Sequence, residues 1–403
     1  MIRTRRNPAA LLLALTVALP VSAASTASPA AASPFASPSG SSAGASGVRF
    51  AIPHPTGRYE VGRDTLHLAD VGRRDPWVPS AKARELMVSM YFPARSGGSA
   101  APYMTLDEAR LLLQGQRLDS LFKPEQLADV RTNARVGARP VGGRHPLVVL
   151  SPGFTLNRAT LTTLAEELAS KGYVVALVDH AYESFGTAFP GGRTLTCVAC
   201  ETVEKAPSAE AEKKLLAKAA VTRAADVSFV IDRLTRPAAA WKHWRMIDPR
   251  RIGAAGHSLG GNTAASVMAA DRRVRAGVNM DGSFFAPVPA SGLGKRPFLM
   301  LGTQAQHSPG STDATWPRDW RRLDGWKRWL TVTGSGHFTF IDLPILGGQA
   351  GITDPAAPLP GKRSGEITTA YVGAFFDQHL QGEPRPLLDG PSRANPEVAF
   401  QNP

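Results

Sequence analysis

The sequence predicts an α/β fold built on a mainly parallel central sheet with helices on both faces. Three observations carry that expectation. Short continuous apolar runs recur from residue 147 onward, as expected of strands covered on both faces. Between them lie stretches whose apolar residues recur at helical spacing. The two kinds alternate, strand then helix, which implies parallel pairing with crossover helices.

Taken in order, residues 86–92 read as an early strand of the sheet. Residues 103–135 form a helical excursion containing Leu111, Leu112, Leu113 and Leu121. It either caps the mouth of a site or pads a sheet edge, and padding is the favoured reading. Leu147-Val148-Val149-Leu150 is the next strand. Leu161, Leu164, Ala165 and Leu168 then give one helical face, which Gly172 stops. Residues 174–178 form a strand ending at Asp179-His180. Val227, Val230, Ile231 and Leu234 mark a second helix, terminated by Pro237. Residues 252–255, 276–280, 298–301 and 330–332 supply four more strands, and a final helix covers 367–380. No second linker interrupts this pattern, so residues 48–403 are expected to form one domain with its core at about 86–382.

Composition narrows the function. The chain has 403 residues, 43% of them hydrophobic, enough to build a full-sized core. Its formal net charge is +13, but no basic run carries interleaved aromatics, so a nucleic-acid partner is not expected. Two cysteines can build neither a disulfide scaffold nor a four-thiolate zinc site, and no cofactor or metal is expected.

Residues 1–23 divide like a secretory signal peptide: Arg3, Arg5 and Arg6, then apolar residues 11–19, then Val21-Ser22-Ala23. The apolar run is too short to cross roughly 30 Å of hydrocarbon. Residues 24–47 are almost all Ala, Ser, Pro and Gly, a linker composition. The mature protein is therefore expected to be secreted.

The sharpest motif is Gly256-His257-Ser258-Leu259-Gly260-Gly261. A strand precedes it and a helical stretch, 262–270, follows. A strand-to-helix turn this tight strains the serine backbone and needs small flanking residues, and it lifts the hydroxyl above the sheet. Such a serine needs a base, itself oriented by an acid. After Ser258 only His307, His337 and His379 remain. His379 falls in the last helix on a face expected to be solvated, and His307 in a polar loop. His337 follows Gly334-Ser335-Gly336 just past the strand at 330, and is the favoured base. For the acid, Asp281 directly ends the strand at 276 and is favoured, with Asp313 as the fallback. A strand-end carboxylate is held more rigidly than one in a Pro/Gly/Ser-rich loop. The backbone N–H groups of Leu259 and Phe154 are the expected oxyanion donors, with Gly153 supplying the backbone freedom that aims Phe154.

These motifs resemble bacterial members of the platelet-activating factor acetylhydrolase family, within the α/β-hydrolase superfamily. The likeness rests on Gly256-His257-Ser258-Leu259-Gly260-Gly261, on Met280-Asp281-Gly282, and on Gly336-His337-Phe338 followed by Asp342. The intervals from Ser258 to Asp281 and from Asp281 to His337 are similar too. The resemblance implies a serine esterase that cleaves short or oxidised acyl esters, notably acetyl groups on phospholipids, without calcium. One segment departs from it. Ser151-Pro152-Gly153-Phe154-Thr155 stands where that family usually begins its oxyanion loop with His-Gly. It looks like the loop of actinobacterial lipases and cutinase-like polyesterases.

The expected reaction is therefore hydrolysis of small-molecule or lipid esters. A lipase or polyesterase acting on longer or polymeric esters is the alternative, and a non-catalytic binding protein on the same fold is the reading from another class. Cys197 and Cys200 are expected to form a local disulfide in an exported chain. Asp179-His180 ends a strand on the catalytic side and is read as a support rather than a triad member. Trp316, Trp320, Trp326 and Trp329 cluster in sequence. They either pack a helix on the sheet, the favoured reading, or line an acyl crevice and touch a lipid surface.

Overall fold

The computed structural model describes residues 48–236 and 239–403. The expected signal peptide 1–23, the linker 24–47 and Pro237 lie outside the described residues. Strands β1 (Glu60–Asp70) and β2 (Arg84–Ala94) open the fold as an antiparallel pair. Then come β3 (Ser99–Ala100), α1 (Leu106–Gln116), α2 (Pro124–Ala128) and β4 (Arg135–Val136), followed by β5 (His145–Ser151), α3 (Thr162–Ser170) and β6 (Val174–His180). A hairpin of β7 (Thr187–Phe189) and β8 (Arg193–Leu195) leads to α4 (Val198–Glu204) and the long α5 (Ala209–Thr235). The second half runs β9 (Ile247–His257), α6 (Leu259–Ala270), β10 (Val274–Met280), β11 (Phe298–Thr303), α7 (Gln304–His307), α8 (Thr315–Arg322) and β12 (Lys327–Val332). It ends with α9 (Asp342–Gln349), α10 (Gly361–Phe376) and β13 (Val398–Phe400).

Among the described residues, eleven strands form one sheet in the order β13-β12-β11-β10-β9-β5-β6-β2-β1-β4-β3. From β12 to β6 every pairing is parallel. The chain leaves β5 for β6 on one side and returns to β9 on the other. That reversal opens a crevice at the carboxyl ends of β5 and β9, where such sheets bind ligands.

The apolar runs alternate between two cores. Val148, Leu150, Val175 and Leu177 face α3 and α10, whose Leu164, Leu168, Ile367 and Phe375 share their cluster. Leu147, Val149, Val174 and Ala176 face the other way, against Val227, Val230, Ile231 and Leu234 of α5. Residues that are successive in a strand point to opposite faces, so a strand covered on both sides must be apolar throughout.

The sheet extends from Glu60 to Phe400, past both ends of the expected core. Within the excursion 103–135, Leu112, Leu113 and Leu127 are buried in the main core, Gln116 Nε2 at the end of α1 donates to Thr155 Oγ1 in the loop after β5 at 2.9 Å, and the flanking β3 and β4 continue the sheet. The last helix ends at Phe376 and passes into a π-helical turn at Asp377–Gln381. His379 is consequently not on a solvated face; its half-buried ring lies 4.4 Å from that of Trp326 and 4.8 Å from that of Phe375.

Candidate active site

Ser258 sits between β9 and α6 with φ 55° and ψ −123°, a backbone state that costs about 1–3 kcal/mol and persists only when its surroundings enforce it. They do so by packing. A Cβ on Gly260 would stand 2.0 Å from the carbonyl oxygen of Ser151, so β5 and the first turn of α6 can approach only across a glycine. The Ser258 N–H donates to the Met280 carbonyl at 2.8 Å, which ties the turn to the end of β10.

His337 follows β12 and directs Nε2 at Ser258 Oγ, 3.0 Å away, and Nδ1 at Asp281 Oδ2, 2.6 Å away. Asp281 is 1% exposed, whereas the His337 side chain is 33% exposed and open to solvent. The carboxylate is thus held in the protein and the imidazole faces the crevice. The Thr303 N–H donates to Asp281 Oδ1 at 2.6 Å.

The same Oδ1 accepts a hydrogen bond from Nδ1 of His307, also at 2.6 Å. Nε2 of His307 donates to Asp313 Oδ2 at 3.1 Å. His307 is therefore not in an open polar loop. It is buried at the end of α7, its ring stacked 4.2 Å from Trp316 and its carbonyl bonded to Trp329 Nε1. Burial alone would lower its pKa, but the charge of Asp281 and hydrogen bonds to both carboxylates raise it to about 9. For Asp281, burial would favour the neutral acid. The His307 charge, followed by hydrogen bonds from both histidines, outweighs it and keeps the carboxyl well below its usual range. Asp313 does not reach His337; its other partners are Ser283 Oγ and the Thr315 N–H.

Sequence reasoning assigned no role to His307 or His257. A readable signal existed for His307: a carboxylate six positions on and two tryptophans that bury it. Trp316, Trp320 and Trp329 are buried and pack with one another, so they build a core beneath Asp281 rather than an acyl crevice.

Leu259 opens α6, and Phe154 lies in the loop after β5, beside β9 through the Ser151–Gly256 register pair. Among the described residues, neither backbone N–H has a hydrogen-bond acceptor. The positive φ in this loop belongs to Thr155, at 76°, not to Gly153. Gly153 instead makes room for a ring, since a Cβ there would lie 2.9 Å from His257 Nδ1. Beneath the loop, His180 Nε2 faces Ser151 Oγ at 2.9 Å and Arg223 Nη1 donates to the Pro152 carbonyl at 2.7 Å. Burial and then the Arg223 charge push the His180 pKa down, so its Nδ1–H donates to Asp226 and its Nε2 accepts from Ser151. Asp179 binds Arg158. Both residues support the loop and stand outside the Ser258 constellation.

An apolar wall adjoins Ser258. Leu259 and Ala286 cluster with Phe154, Tyr182, Phe185 and Phe285, and with Cys197 and Cys200, which form a disulfide.

The arrangement can activate a serine hydroxyl beside backbone donors, and the comparisons agree with that chemistry. The sequence model of the family platelet-activating factor acetylhydrolase, isoform II, matches residues 45–194 and 208–353. A probable 1-alkyl-2-acetylglycerophosphocholine esterase of Arthroderma benhamiae is 30% identical over 387 residues, covering 87% of this chain and 94% of that protein. A platelet-activating factor acetylhydrolase of Cavia porcellus is 23% identical, with 59% of this chain matching 58% of its length. The solved structure of a ferulic acid esterase from Streptomyces cinnamoneus is 43% identical, with a TM-score of 0.76, covering 87% of this chain and 99% of that one. With esterases on every side and a mostly parallel sheet that carries its serine at the switch point, the chain is a carboxylic ester hydrolase of the α/β-hydrolase fold and belongs to the platelet-activating factor acetylhydrolase isoform II family.

Proposed function

We propose that the enzyme hydrolyses short-chain carboxylic esters by two-step acyl transfer through Ser258, His337 and Asp281. The observation that carries this reading is the unbroken chain Ser258 Oγ–His337 Nε2 at 3.0 Å and His337 Nδ1–Asp281 Oδ2 at 2.6 Å. Ser258 Oγ attacks the ester carbonyl as His337 Nε2 takes its proton. Asp281 stabilises the resulting imidazolium, and the Phe154 and Leu259 N–H groups receive the oxyanion. His337 then protonates the departing alcohol. Water attacks the acyl-enzyme with His337 again as base, which releases the acid and restores Ser258.

The wall of Phe154, Leu259, Phe285 and Ala286 supports a compact acyl group. The ferulic acid esterase likeness supports a second reading, in which that wall takes a flat aromatic acyl group. Export is part of the proposal. Residues 1–23 have signal-peptide form, and the Cys197–Cys200 disulfide suits an oxidising compartment.

The test is kcat/KM across p-nitrophenyl esters of rising acyl length, with methyl ferulate alongside and Ser258→Ala as control. A steep fall beyond short chains supports the first reading. Preference for methyl ferulate supports the second, and rising activity with long chains would point to a lipase or polyesterase. Absence of Ser258-dependent turnover on every substrate would overturn the catalytic assignment.

A further inference from the structure

We propose that His307 is a positioning residue for this reaction, a cation clamped between Asp281 and Asp313 that turns one oxygen of Asp281 toward His337 and tempers how tightly that carboxylate holds the His337 proton. The proposal rests on the Ser258–His337–Asp281 reading above.

The geometry divides the Asp281 carboxylate into two working halves. Oδ1 receives the Thr303 N–H and His307 Nδ1–H, each at 2.6 Å. Oδ2 is left to His337 Nδ1. Rotation of the carboxylate would break two hydrogen bonds on one side to loosen one on the other, so the orientation that serves His337 is fixed.

The charge of His307 follows from its partners. Each ring nitrogen faces a carboxylate oxygen, and an ionised carboxylate only accepts. Both nitrogens must therefore carry protons, and the ring is an imidazolium. Asp281, His307 and Asp313 together then carry one net negative charge rather than two. His337 has to accept a proton from Ser258 and return it to the leaving group, so a base that holds the proton too strongly is as unsuitable as one that holds it too weakly. The cation on the far side of Asp281 weakens that hold.

Other ionisable groups do not account for the effect. Across its ring His337 meets His257, 4.6 Å away between centroids, which burial and then the charge of His337 push down to about 3, leaving it neutral. His307 is faced by Asp281 from the end of β10, by Asp313 from the segment before α8, and by the uncharged Trp316 ring of α8.

The experiment compares pH profiles of kcat and KM with p-nitrophenyl acetate for the wild type, His307→Asn and Asp313→Asn. Asparagine at position 307 keeps an N–H for Asp281 but carries no charge. The expected result is a fall in kcat of about tenfold with KM nearly unchanged, and an acid limb shifted up by about half a pH unit or more. Asp313→Asn removes a negative charge while Asp281 keeps His307 protonated, so its limb is expected to move the other way, down, and by less. A residue that only packed the core would leave the limb in place. His307→Asn with wild-type kcat and limb, beside inactive Ser258→Ala and His337→Ala, would overturn the proposal alone. Turnover retained in either of those controls would remove the triad reading beneath it. Should the His307 variant not fold, ring-nitrogen NMR of the histidine-labelled wild type decides. Two protonated nitrogens at neutral pH are expected for His307, and a neutral ring overturns the proposal.

Discussion

His257 donates its Nε2–H to the backbone carbonyl of His337 at 2.7 Å, and the two rings pack 4.6 Å apart. The residue before Ser258 thus anchors the loop of His337, so two elements distant in sequence share one fixed geometry. Nδ1 of His257 is buried without a partner among the described residues. His257→Leu removes this donor from the His337 carbonyl and with it the anchor. We expect kcat to fall about 10- to 100-fold with little change in KM, because small misplacements of a base are penalised on that scale. His257→Gln keeps a donor and should recover much of the loss. Steady-state kinetics on the purified variants checks both, and equal losses would refute the anchoring role.

Asp281 and Asp313 are separable by substitution. Asp281→Asn leaves His337 without a charge partner and permits the wrong tautomer, so kcat should drop about 10³- to 10⁴-fold. Asp313 touches the site only through His307, and Asp313→Asn should lower kcat by about tenfold at most. Active-site titration with a fluorophosphonate keeps misfolded enzyme out of the comparison. The reverse order of effects would make Asp313 the acid.

Which parts were legible follows from how each segment is covered. The parallel strands β5, β6 and β9 to β12 are buried on both faces and read as plain apolar runs. β1 pairs on the other side with only a fragment, buries Val61, Gly62 and Arg63 in succession before a mainly exposed or half-buried stretch, and contains Gly62, Arg63 and Asp64, so neither hydropathy nor propensity marks it. Ser258, Asp281 and His337 were readable because each sits where a strand ends. His307 carried only an indirect signal, Asp313 and the tryptophans further along the chain, since its loop is polar in sequence and becomes a buried site only when Trp316 and Trp329 close over it. Phe154 was named, but for the wrong neighbour: the role given to Gly153 as a freely turning residue belongs to Thr155, and Gly153 serves to admit the His257 ring.

The loop that carries Phe154 rests on a buried ionic network, which links stability to activity. Arg84 is fully buried and bridges Asp75, Glu183 and Asp226. Arg223 joins Glu183 to the Pro152 carbonyl, and His180 joins Asp226 to Ser151. Arg84→Met would leave three carboxylates short of charge, and we expect a loss of about 3–5 kcal/mol in urea unfolding at neutral pH. Burial alone would raise the Asp226 pKa, but the Arg84 charge and the His180 hydrogen bond hold it well below the usual carboxylate range. A depressed folded value contributes stability above the unfolded value, about 4, that is lost as pH falls toward the folded one. The wild type should therefore lose stability below about pH 4, and Asp226→Asn should flatten that dependence while lowering stability at pH 7.

The Cys197–Cys200 disulfide closes so short a loop that its direct effect on the unfolded chain is small. Chain entropy for a loop of about four residues gives about 2 kcal/mol, or about 3 °C in Tm for a domain of this size. Its larger effect should be on substrate choice. The staple begins α4, whose Ala199 N–H donates to the Tyr182 carbonyl at 3.0 Å, and the same apolar cluster contains Phe154, Phe185 and Leu259 beside Ser258. Freeing α4 loosens that wall without touching Ser258, His337 or Asp281. For the Cys197→Ser, Cys200→Ser double variant, kcat/KM should change little for p-nitrophenyl acetate. For bulkier acyl groups, where contact with the wall matters, it should change several-fold. Thiol titration of the wild type with and without reductant establishes that the bond is present. A uniform loss across all acyl groups would show that the staple serves stability alone.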